Sequence, residues 1–147
     1  MTLHLVKLCV GCDSIEDLAS WQADWLKRRR KAGEKAPTPF HRTFQAPKRR
    51  DELLVGGSLY WVIKGLIQVR QPLLDIRDGT REDGTPCCVL VFKNELIVVR
   101  PVPRRAFQGW RYLIEDEAPE DLGRLSAANI EAMPAKLRKD LAELGLI

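Results

Sequence analysis

Three groups of residues are of a kind and spacing that could do chemistry. The first is Cys9-Val10-Gly11-Cys12, a C-x-x-C between an apolar run and a helix-like pattern. There a thiol pair suits thiol–disulfide exchange, because a helix N-terminus lowers a thiol pKa, or half of a zinc site. But Cys9 belongs to the apolar run, and Asp13, which follows Cys12, would raise a thiolate pKa. Cys87 and Cys88 are consecutive, so in a strand they face opposite ways and make a poor second ligand pair. His4 and His41 stand at no ligand spacing to either. All four cysteines therefore read as buried or turn residues, with no metal site.

The second group is basic. Between Lys27 and Arg50 stand ten Lys and Arg residues against one acid, Glu34, so this segment carries +9 within a chain of net +4. Such a block fits a polyanion or an acidic partner, or it is a solvated helix end and loop. In the first case Arg28, Arg29, Arg30, Arg42, Arg49 and Arg50 hold phosphates.

The third group interleaves aromatic and basic residues: YWVIKG at 60–65, VRQP at 69–72 and RPVPRRAFQGWRYL at 100–113. Tyr60, Lys64, Arg70, Gln71, Arg104, Phe107, Gln108, Trp110 and Arg111 would supply base stacking and phosphate contact from one concave platform. The plainer reading of each aromatic is a core residue with arginines at its rim. No phosphate-binding loop, dinucleotide fingerprint, nucleophile elbow or H-E-x-x-H is present, so no catalytic residue and no cofactor is assigned.

The elements that must position these residues follow from periodicity. Residues 3–9 are apolar at nearly every position and read as a buried strand. Asp13 or Ser14 caps a helix in which Ile15, Leu18, Ala19, Trp21, Trp25 and Leu26 fall within an arc of about 160°. Arg29 would land inside that stripe, so the packed part should end near Lys27. Residues 33–50 hold three prolines and no periodicity, and read as a long loop. Strands are expected near 58–64, 66–70, 73–76, 87–92, 95–100 and 110–114. Alternation puts Leu59, Trp61 and Ile63 on one face and Tyr60, Val62 and Lys64 on the other, and Trp110 and Tyr112 on one face opposite Arg111. Lys93-Asn94 reads as a hairpin turn, 78–86 as an exposed loop, and Pro72 as an edge or bulge. Pro119, Ser126 and Pro134 stand at helix starts, giving a helical segment over about 119–147.

The bulk composition agrees with a globular protein: 147 residues, 45% apolar and 30% charged. No run reaches the 18 or so apolar residues of a membrane span. The N-terminus reads as a strand and not a signal peptide, which implies reduced thiols and a cytoplasmic location without membrane contact.

LVKLCVGCDSIEDLASWQ, GGSLYWVIKGLIQVRQ and RPVPRRAFQGWRYLIEDEAPEDL together resemble a bacterial domain-of-unknown-function family of about this length, across nearly the whole chain. That resemblance brings no activity. YWVIKGLIQVR more loosely resembles the PUA-like barrels, including ASCH and EVE-type domains, which implies a small β-barrel associated with RNA or modified bases. The lysine and glutamate of the ASCH pattern are not between Gly65 and Arg70, so only the fold analogy carries over.

The expected fold is a single α+β domain over 1–147: a small barrel-like, strongly twisted, mostly antiparallel sheet with an N-terminal helix and C-terminal helices. The expected function is a non-catalytic nucleic-acid-binding module, with RNA or single strands favoured. The alternatives are an interaction or assembly domain with an acidic protein partner, and a small enzyme acting on a nucleotide-like ligand.

Overall fold

In a computed structural model, residues 2–125 are described. The chain is α+β, and among the described residues eight strands form one mixed sheet. β1 (Leu3–Leu8) leads into α1 (Ile15–Lys31), then β2 (Phe40–Thr43), the short α2 (Arg50–Leu53) and β3 (Ser58–Ile63). β4 (Leu66–Thr80), β5 (Pro86–Phe92), β6 (Leu96–Pro103), β7 (Trp110–Ile114) and β8 (Asp121–Leu125) follow.

β1 and β3 pair in parallel, with the helical crossover between them that parallel neighbours require; every other pairing is antiparallel. The path β2-β5-β4-β3-β1-β7 is open, with β6 and β8 branching from β4. Among the described residues the expected barrel-like closure by strand pairing is therefore not made. Its place is taken by the segment after β2, which crosses to β7. Trp110 Nε1 donates to the Gln45 carbonyl at 2.7 Å, and the Arg49 amide donates to the Tyr112 hydroxyl at 3.2 Å.

Four further expectations change. Residues 33–50 are not all loop, because β2 pairs with β5 from Phe40↔Val91 to Thr43↔Cys88. The runs at 66–70 and 73–76 form one strand, β4, and Pro72 sits where it passes from pairing with β3 to pairing with β5. Lys93-Asn94 is no hairpin: β5 and β6 do not pair, but follow each other antiparallel along β4. Pro119 precedes strand β8 instead of opening a helix, and the helix starts at Ser126 and Pro134 lie outside the described residues.

α1 begins as its sequence dictates. The Ser14 hydroxyl accepts from the Asp17 amide at 3.1 Å, and the Asp17 carboxylate accepts from the Asp13 amide at 3.0 Å. Its buried side is Ile15, Leu18, Ala19, Gln22 and Leu26, whereas Trp21 is 57% exposed. The helix continues past Lys27 because Arg29 lies over the Trp25 and Phe40 rings, 4.3 and 5.3 Å from their centroids, pairs with Glu34 and donates to the Thr38 carbonyl.

The strand alternation holds. Leu59, Trp61 and Ile63 enter the main core with Leu5, Ile15, Leu18 and Phe92, while Tyr60 and Val62 join Val6, Val99 and Leu113 in a second cluster. Trp110 and Tyr112 both pack on the main core, 4.9 Å apart.

Candidate nucleic-acid interface

The bridge from β2 to β7 leaves a groove of about 520 Å³ lined by Lys7, Arg42–Gln45, Arg81 and Gln108–Arg111. Its side chains include four cations, Lys7, Arg42, Arg81 and Arg111, and no carboxylate. None of the four makes an ion pair among the described residues. Lys7 comes from β1, paired with Trp110 of β7; Arg42 comes from β2, and Arg81 from the tight β4–β5 turn. Arg81 stacks on Phe44 at 3.6 Å from the ring centroid, and its solvent-shielded Nε has no hydrogen-bond partner among the described residues. Phe44 is 76% exposed. A large exposed ring beside guanidinium groups that have no carboxylate partner offers a stacking face to a base and positive charge to a phosphate.

A second, more enclosed pocket of about 350 Å³ adjoins it. Leu8, Cys9, Val10, Gly11, Cys12, Asp17, Leu18, Trp21, His41 and Trp61 line it. Consecutive residues of β1 and β2 divide between the two: Lys7 and Arg42 line the groove, Leu8 and His41 the pocket. Burial, then the charges of Lys7 and Arg81, push the His41 imidazole down to about 4 from its usual 6.5. His41 should therefore be neutral at pH 7. The unfolded chain takes up this proton near pH 6.5 and the folded chain only near pH 4, so the residue's contribution to stability is complete above pH 6.5 and lost as pH falls towards 4. An NMR titration of the ring should show a midpoint near 4; a midpoint at the usual value would mean that the ring is open to water.

Cys9 and Cys12 were expected as reduced turn residues. They are instead bonded to each other, with Cα atoms 5.7 Å apart across a turn in which Gly11 takes φ +85°, a separation suited to a disulfide. Cys87 and Cys88 are free and buried. Among the described residues no cluster of three or more His, Cys, Asp or Glu could hold a metal.

The residues singled out from the sequence divide into several groups. Arg42, Gln108, Trp110 and Arg111 meet in the groove. Phe107 packs into the second cluster, with the Arg104 and Arg111 guanidinium groups 5.6 and 5.2 Å from its ring centroid. Arg28 and Arg30 are exposed on the last turn of α1, while Arg29 is held as described above. Arg49 is paired with Glu52, and Arg50 faces Asp78 at 3.9 Å. Lys64 forms the β3–β4 turn with Gly65, both at positive φ.

Tyr60 and Arg70 belong to a different pocket, one lined by Glu115, Glu120 and Asp121. Arg70 is held there by both Asp121 oxygens at 2.8 Å and by the Ser58 hydroxyl at 2.7 Å. Gln71 is fully buried and belongs to the core. These three therefore leave the interface. The sequence reading missed Lys7, Phe44, Gln45 and Arg81. Lys7 alone left a trace, as a cation inside an otherwise apolar strand.

The described histidine–carboxylate pair does not make a general base. His4 Nδ1 accepts from the Ser58 amide at 3.0 Å, so Nε2 carries the proton and donates to Glu115 at 2.8 Å. Both ring nitrogens are committed to holding β1, β3 and the 3-10 turn Glu115–Glu117 together.

Among the described residues no helix is long and apolar enough to cross a membrane. No curated protein and no solved structure matches the chain. Over residues 5–147 the sequence matches the family described as protein of unknown function (DUF1489), and the chain belongs to that family.

Proposed function

We propose that the chain binds single-stranded nucleic acid, RNA favoured, as a non-catalytic module, and that the groove between β2 and β7 is its interface. The observation that carries this reading is the carboxylate-free lining: Lys7, Arg42, Arg81 and Arg111 around Phe44 and Trp110. Cations without a carboxylate partner gain from phosphate by releasing its counterions. The exposed Phe44 ring can stack on a base that has left a duplex, which favours single strands. The Gln45 and Gln108 amides offer donors and acceptors to a 2′-hydroxyl, which favours RNA.

The test is fluorescence anisotropy with single-stranded RNA, single-stranded DNA and duplex DNA at about 50 and 200 mM salt. Four phosphate contacts give a log–log salt slope of roughly −3 for a single strand. Arg42→Ala and Arg111→Ala should each weaken binding about tenfold and reduce the slope by about 0.7, whereas Arg50→Ala, outside the groove, should leave the slope alone. No binding to any strand at low salt would overturn the reading and favour an acidic protein as the groove's partner. Binding whose slope ignores the groove variants would overturn the interface.

A further inference from the structure

We propose that the pocket beside the groove receives one unstacked nucleobase of the bound strand, with Trp21 as its stacking face; the inference rests on the nucleic-acid reading above. Three observations lead there. The first is position: His41, in the pocket lining, is close enough to Lys7 and Arg81, in the groove lining, to feel their charges, so the two cavities are neighbours. Trp21 is also shared with a depression on α1 lined by Asp24, Lys27, Arg28 and Lys31. Cationic surface thus borders the cavity at two places, at His41 and at Trp21, as a strand whose phosphates flank an inserted base requires.

The second observation is the lining. Leu8, Val10 and Leu18 are apolar, and Trp61 forms an aromatic wall that is itself buried. Trp21 belongs to the helix that covers the core, yet it turns away from that core and leaves more than half its surface to solvent. About 350 Å³ accommodates a purine or pyrimidine with its sugar, and is too small for a folded partner's side-chain cluster.

The third is polarity. His41 stands edge-on to Trp61, 5.7 Å between centroids, and as a neutral imidazole offers one donor and one acceptor. Asp17, at the rim, is the one carboxylate of the lining and can accept from an exocyclic amine. A base presents donors and acceptors of this kind along its edge.

The experiment compares two single strands of about 10 nucleotides, one of thymidines and one of the same length with abasic sugars, by anisotropy at low salt. Wild-type protein should bind the thymidine strand about tenfold more tightly. Trp21→Ala should remove that preference while keeping the affinity for the abasic strand and its salt slope, and Trp21→Phe should restore most of it. Trp21 is exposed, so neither change threatens folding. A Trp21→Ala variant that keeps the full preference for bases overturns the base pocket and leaves the groove reading standing. Failure of wild-type protein to bind either strand overturns both.

Discussion

Replacing Gly57 by alanine is expected to lower the unfolding free energy by about 3 kcal/mol or more, a loss of the size caused by clashes that packing cannot relieve. A Cβ at this position would lie 2.2 Å from the Leu53 carbonyl oxygen and 2.5 Å from that of Leu3. Both are backbone atoms, so no side chain can rotate away. The Leu53 carbonyl is also the acceptor of the Gly57 amide at 2.9 Å, while the Gly57 carbonyl accepts from the Leu73 amide at 3.0 Å. The residue is the point where α2, β1 and β4 touch through their main chains. Its neighbour Gly56 makes the control. Gly56 has φ +78° and open space around it, so Gly56→Ala meets only the left-handed backbone preference, worth about 1 kcal/mol. Urea denaturation of the two variants should separate them by about 2 kcal/mol. Equal losses would show that the close approach does not constrain the fold.

The same pair of glycines marks how far the fold could be read from the sequence. Gly56-Gly57 stands just ahead of the strand expected at 58–64, but nothing in the letters says that one glycine answers to dihedral angle and the other to main-chain contacts with Leu53 and with Leu3, 54 positions away. The period-2 pattern of 58–64 was legible because both faces of β3 are packed and every position is constrained. β2 escaped because four residues between prolines and glutamines show too little alternation to outweigh the proline signal. The chain pairing around 93–95 escaped for a different reason. A Lys-Asn between apolar runs has the local chemistry of a hairpin, and only the length of β4 makes the two runs its successive partners.

For the candidate interface, the aromatic–basic interleaving singled out Gln108, Trp110 and Arg111, which are near one another in sequence and line one groove. The long basic block was less informative. Its arginines separate because Arg29, Arg49 and Arg50 each find an acid nearby, while Arg42 does not. Phe44 and Arg81, which stack on each other, lie 37 positions apart in the chain and could meet only once β2 had joined β5.

Gln71 was read as part of an exposed platform because it follows Arg70 in an aromatic-rich stretch; its actual role gives the last prediction. The side chain is fully buried and every one of its hydrogen-bonding directions is used for packing. Its Oε1 accepts from Gln22 Nε2 at 3.0 Å and from Trp61 Nε1 at 3.2 Å, and its Nε2 donates to Gln22 Oε1 at 2.9 Å and to the Lys93 carbonyl at 3.1 Å. One amide thereby ties α1, β3 and the β5–β6 break to β4. Gln71→Leu keeps the volume but strands the Trp61 N–H, the Gln22 amide and the Lys93 carbonyl, at about 1–3 kcal/mol for each buried group left without a partner. A total loss of about 3 kcal/mol or more is expected from denaturant unfolding. Gln22→Leu combined with Gln71→Leu should cost clearly less than the sum of the two singles, because the second change removes a group the first had orphaned. Strict additivity would mean that the two amides do not act as a unit. Where the double variant folds, Trp61 has lost the partner that orients its indole, and Trp61 is a wall of the pocket assigned to the base. Its preference for a thymidine strand over an abasic one should then fall while its salt slope stays that of the wild type, since none of the groove's four cations has been touched.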